Sequence, residues 1–135
     1  MNSGKNPAQL RQLMQANATR GKVLAADCPS REILLHVTSR WGVLVLLALL
    51  DGTQRFNQLK RKVGGVSDKM LAQTLQNLEN DAFVIRQEFP VIPPHVEYSL
   101  SESGQQVAKH VEQLTDWIEN NLSQVLASRA SQQAS

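Results

Sequence analysis

The chain has 135 residues, 41% hydrophobic and 19% charged, with a formal net charge of +2 and a pI near 8.9. That is enough for one domain with helical extensions, and the balance excludes a disordered or collagen-like chain. So small a charge is compatible with an anionic partner and does not by itself argue for one.

The single cysteine, Cys28, excludes an intrachain disulfide and any multi-cysteine zinc site, and His36, His95 and His110 lack ligand spacing. No metal or cofactor is therefore expected. The opening "MNSGKNPAQLRQ" has no apolar signal core, so a cytoplasmic address is expected, and "VLVLLALL" at 43 to 50 is too short to span a bilayer. Charge is unevenly placed: 55 to 69 holds Arg55, Lys60, Arg61, Lys62 and Lys69 against Asp68, whereas 101 to 126 holds Glu102, Glu112, Asp116 and Glu119 against Lys109.

Residues 1 to 27 form a polar, basic extension in which Asn6 can cap a short helix with Pro7 at its first position. Leu34, Leu35 and Val37 suggest a helix from Pro29 to near "TSR". Trp41 to Leu50 suggests a second, apolar almost all round, ended by Asp51-Gly52. "TQRF" at 53 to 56 reads as a short extended stretch, and Phe56, Leu59 and Val63 then fall at helical spacing. Gly64-Gly65 supplies a turn with positive φ. Ser67 is a good N-cap, with Asp68 favoured by the helix dipole and Val66 placed to staple against Leu71. The buried stripe of this next helix is Leu71, Leu75, Leu78 and Ala82.

Alternating residues in "FVIRQEF" (83 to 89) and "HVEYSL" (95 to 100) predict two strands joined by "PVIPP". From Ser101, Val107, Val111, Leu114, Ile118, Leu122 and Val125 define one long amphipathic helix over 101 to 126, and "ASRASQQAS" at 127 to 135 reads as a disordered tail. The order is that of a winged helix-turn-helix within a mainly α (α+β) fold, with a DNA-binding domain over 28 to 100 and a dimerisation helix over 101 to 126.

On a helical wheel with Leu71 inward, Lys69, Gln73, Gln76 and Asn80 lie outward with Asn77 beside them. Lys69 can reach guanine or phosphate, Gln73 can pair bidentately with adenine, and Ser67 with the first free N–H groups can hold a phosphate oxygen. Arg55, Lys60, Arg61 and Lys62 are placed to fix register on the DNA backbone, and Arg86 and His95 on the wing to approach the next phosphate or the minor groove. The competing reading is a winged-helix module that binds protein through the same polar face. No phosphate loop, dinucleotide fingerprint or His-Glu-x-x-His motif is present, so no enzyme is expected.

The stretch from Cys28 to Gly104 resembles the HxlR-type transcriptional regulators. The residues that carry the likeness are Cys28-Pro29, Arg40-Trp41 before the leucine run, Arg55-Phe56, Leu59, "GGVSDKML", "LENDAFVIR" and "VIPPHVEYSL" followed by Ser101 and Gly104. The resemblance implies a winged-helix homodimer that binds a double-stranded DNA operator. Two positions depart from it: Ala82, where a glycine is common and the change is expected to be mild, and Ser101, where a threonine is common.

The resemblance also implies dimerisation through the first and the long C-terminal helices. An apolar stripe with Val107, Val111, Leu114, Trp117, Ile118 and Leu122 is independently too long for so small a domain to cover. A site for a small-molecule effector is compatible with such a dimer, although no residue names a ligand. By the same resemblance Cys28 is a candidate sensor of oxidants or electrophiles. Its place before Pro29 at a helix start, near Arg31, favours thiolate, while a small buried hydrophobe is the other reading of a free cysteine.

Overall fold

The structure, a computed structural model, describes Pro7 and residues 22 to 134. The short N-terminal helix expected around Asn6 lies outside the described residues, apart from Pro7, which is helical. Two compact units divide the chain, Met1–Leu35 and His36–Ser135.

The elements in order are α1 (Pro29–Thr38), α2 (Arg40–Leu49), β1 (Gln54–Arg55), α3 (Phe56–Lys62), α4 (Asp68–Asn80), β2 (Val84–Phe89), β3 (His95–Leu100), α5 (Glu102–Asn120) and α6 (Leu122–Ala134). The chain is mostly helical with one small antiparallel sheet, the winged-helix plan. Strand order is β1-β3-β2, with Gln54 opposite Tyr98, Val84 opposite Leu100 and Phe89 opposite His95.

The core of the larger unit gathers Val45, Leu46 and Leu49 of α2, Leu59 of α3, Leu71, Leu75 and Leu78 of α4, Val84, Leu100, and Ala108 and Val111 of α5. Helix α2 is apolar almost all round because α3, α4, α5 and β3 all pack against it. Gln54 is the polar exception inside: its Nε2 donates to the Ala48 carbonyl at 2.5 Å, which satisfies the amide and ties β1 to the end of α2. Among the described residues no single helix is long and apolar enough to cross a membrane.

Between α3 and α4 the chain reverses through Gly65 at φ +90°, a left-handed angle that glycine adopts without a Cβ clash. Ser67 then caps α4, its Oγ accepting from the Met70 N–H at 3.1 Å.

At its other end α4 stops at Asn80, so Ala82 is not the last member of a helical stripe. It is exposed and lies at φ +65°, where an L side chain is strained. The substitution expected to be mild thus falls on a left-handed corner, which explains the glycine common there. This corner is tied down from several sides. The Ser101 N–H donates to the Phe83 carbonyl at 3.0 Å, the Ser101 hydroxyl donates to the Ala82 carbonyl at 2.7 Å, and His36 Nδ1 meets Asp81 Oδ2 at 2.6 Å. Gly104, in the first turn of α5, sits so close that a Cβ would come within 2.0 Å of the Phe83 carbonyl oxygen.

The long C-terminal helix also differs from expectation. It breaks at Asn121, whose Nδ2 donates to the Trp117 carbonyl at 2.8 Å and so competes with the helical backbone. In place of a disordered tail from 127, α6 runs to Ala134; no Gly or Pro interrupts "LSQVLASRASQQA" and its Ala, Leu, Gln and Arg favour helix.

Two substitutions at the corner are expected to act in opposite directions. Ala82→Gly should stabilise by about 1 kcal/mol through relief of the left-handed strain, and Gly104→Ala should destabilise by about 1–3 kcal/mol through overpacking. Urea unfolding followed by circular dichroism measures both, and a shift of the same sign for the two would contradict this account of the corner.

Candidate nucleic-acid interface

The leucines of α4 fix which side of that helix meets solvent. With Leu71, Leu75 and Leu78 buried, Ser67, Lys69, Gln73, Gln76 and Asn80 are exposed in one continuous face, as the wheel predicts. Two side-chain bridges order that face: Gln73 Nε2 donates to Asn77 Oδ1 at 3.1 Å, and Gln76 Nε2 to Asn80 Oδ1 at 2.9 Å. An amide carries two N–H donors and one carbonyl, so Gln73 keeps its Oε1 and a second N–H. A donor and an acceptor side by side is the pattern that matches the N7 and N6 edge of adenine. Asn77 is half-buried with its Oδ1 occupied, so it props Gln73 and is less open than the sequence reading suggests. Ser67 accepts one bond as cap, and its hydroxyl proton is still able to donate.

Two of the cations around this face, Lys60 and Lys62, are paired. Lys60 Nζ meets Asp68 Oδ1 at 2.5 Å and Lys62 Nζ meets Asp51 Oδ2 at 2.6 Å, all four side chains substantially exposed. Among the described residues no ion pair is seen for Arg55, Arg61 or Lys69. Arg55, Arg61 and His95 are brought together on an open groove of about 600 Å3, together with Phe56 and Val96.

The wing is different. Arg86 Nη1 donates to Glu88 Oε1 at 2.6 Å; that bond, with a second to the Tyr98 oxygen, holds the guanidinium more firmly protonated than usual and offsets its charge locally. His95 stacks on Phe89 at 4.8 Å and its Nε2 meets Glu97 Oε2 at 2.9 Å. Arg86 does not line the groove that holds Arg55, Arg61 and His95.

Met70 and Ala72 are absent from the residues expected on this face. Both are exposed on α4, Met70 at 44%. The available signal was their place on the wheel: each stands well away from the buried leucines, at the margin of the polar strip.

The apolar stripe of α5 divides in two. Val111 is buried and Val107 half-buried, both in contact with the core of their own unit, so they are not available to a second copy. Helix α5 packs against α2 and β3. Leu114 (58% exposed), Trp117 (59%), Ile118, Leu122 and Leu126 are open.

In the smaller unit, Cys28 is buried and its Sγ lies 2.9 Å from Ser30 Oγ. That hydrogen bond, aided by the Ser30 and Arg31 backbone N–H groups, lowers the thiol below its ordinary pKa, against the opposing effects of burial and Asp27.

Comparison with known proteins fits this arrangement. Residues 36–126 match the HxlR-like helix-turn-helix family. The HTH-type transcriptional regulator YtfH of Escherichia coli (strain K12) is 62% identical over 109 residues, covering 81% of this chain and 86% of that protein. The solved structure of the transcriptional regulator ytfH from Salmonella typhimurium superposes with a TM-score of 0.75 at 64% identity, covering 79% of this chain and 96% of that one. The redox regulator HypR in its oxidized form superposes with a TM-score of 0.64 at 34% identity, covering 70% of this chain and 97% of that one.

The Lys60–Asp68 pair yields a direct test. Asp68→Asn removes the carboxylate and leaves Lys60 to a phosphate. Binding to random-sequence duplex DNA should tighten several-fold at low salt, with the log-log salt slope steeper by about 0.9. A salt titration by fluorescence anisotropy with no change of slope would mean that Lys60 reaches no phosphate.

Proposed function

The chain belongs to the HxlR family of helix-turn-helix transcriptional regulators, which are DNA-binding proteins and not enzymes, and from that premise we propose a homodimer that reads a twofold-symmetric operator in the cytoplasm. The observation that carries the reading is the exposed face of α4, where Gln73 keeps a donor and an acceptor side by side beyond a row of buried leucines.

In this reading Lys69, Gln73 and Gln76 meet base edges, Asn77 positions Gln73, and Ser67 holds a phosphate. Arg55, Lys60, Arg61 and Lys62 grip the backbone without reading sequence, with His95 on the groove that Arg55 and Arg61 line and Arg86 on the wing. A second copy covers Leu114, Trp117, Ile118 and Leu122, an exposed apolar run that water disfavours and a twofold contact buries. Half-site centres then lie about 34–36 Å apart or at a multiple of that spacing. A dimer seated on promoter DNA excludes polymerase, so repression is the proposed effect.

Cys28 is the proposed switch. Its thiol is biased toward thiolate by Ser30, and the structural relative HypR is a redox regulator. Under an oxidant such as diamide, the Cys28 thiols of two copies lose two protons and two electrons and join as a disulfide, while diamide is reduced. The strained pair then releases operator.

Gln73→Ala should weaken binding to operator about tenfold or more and leave random DNA nearly unaffected, whereas Arg61→Ala should weaken both alike. Equal losses for the two DNAs in Gln73→Ala would refute base reading. Diamide should lower operator affinity at least about tenfold in the wild type and not in Cys28→Ser; an unaltered wild type with Cys28 shown to be oxidised would remove the switch and leave DNA reading intact.

A further inference from the structure

We propose that Met70 and Ala72 recognise the C5-methyl groups of thymines in the major groove, so that the operator half-site requires thymine at positions where no polar side chain of α4 makes the choice. The inference rests on the reading of α4 as the groove-reading helix.

Met70 is an apolar side chain that the core does not use. Among the described residues it is the one large hydrophobic side chain exposed between Gly52 and Phe83, while Leu71, Leu75 and Leu78 beside it are fully taken by the core. It is the third residue of α4, in the first turn, from which a helix laid in the groove reaches base edges. Its backbone is held at both polar groups: the N–H donates to Ser67 Oγ at 3.1 Å and the carbonyl accepts from Thr74 Oγ1 at 2.7 Å. The side chain therefore leaves a fixed point.

The groove offers one apolar feature, the thymine methyl, and a flexible, polarizable thioether adapts to it without a fixed hydrogen-bond geometry. Ala72 is exposed on the other margin of the polar strip and presents a single methyl there. The free edge of Gln73 between them fits adenine, whose pairing partner is thymine, so polar and apolar readers address the same kind of A·T-containing step.

The test uses the full chain. An operator is first selected from random duplexes, and each of its thymines is then replaced in turn by deoxyuridine, which keeps the pairing and deletes only the methyl. At one or two thymines per half-site the wild type should bind about fourfold more weakly per methyl lost, the effect expected for burying one such group. Met70→Gln should bind thymine and uracil equally at one of those positions, and Ala72→Gly at another. Equal affinity for thymine and uracil at every position in the wild-type protein would overturn the inference without reference to any variant's folding. Discrimination that survives intact in both variants would overturn the assignment to these residues. Failure to select any sequence would instead sink base reading itself, and this inference with it.

Discussion

The architecture depends on one crowded corner, where α4 ends, β2 begins, β3 ends and α5 starts within a few ångströms of the Phe83 carbonyl. Ser101 binds that carbonyl through its backbone, Gly104 presses against it with no Cβ, and Asp81 just before it holds His36. Helix α4, the wing and the C-terminal helix are therefore fixed to one another by backbone packing and hydrogen bonds rather than by long side chains. A left-handed Ala82 is tolerated because so many contacts over-determine the turn.

At the exposed face of α4 a rigid support meets an adjustable surface. The leucines and the Ser67 cap set the helix, and the two amide bridges set its outer side chains. The charge around it is moderated by Asp51 and Asp68, each against one lysine. Both pairs are exposed and salt-sensitive, so they trim the attraction to any polyanion more than they stabilise the fold.

Local signals made much of this legible. Leucines at helical spacing, a capping serine and a glycine turn mark α4 from its own residues, and alternation marks β2 and β3. What was hidden depends on distant partners. Lys62 and Asp51 meet across the α2–α3 connection, which no spacing rule reveals. The α5 stripe looks uniform in sequence, yet the core takes up Val107 and Val111 and leaves Leu114 and Trp117 open, because burial is decided by the neighbour and not by the residue. Ala82 gives no sign of positive φ by its own chemistry; only the glycine common at that place in similar chains hinted at it. Helix α6 was concealed by a polar composition that resembles a tail, although its helix-forming residues outnumber its breakers.

Gly104 gives α5 a mechanical property. Contact without a Cβ makes a close, smooth bearing at one end of a helix whose 19 residues extend about 28 Å. Trp117 and Ile118 stand about 20 Å along the axis from Gly104, so a tilt of about five degrees there would carry them through about 1.8 Å. At the Phe83 corner, beside the end of α4, the same rotation would amount to only a fraction of an ångström. By its proportions the helix is a long arm toward its exposed apolar end and a short one beside α4.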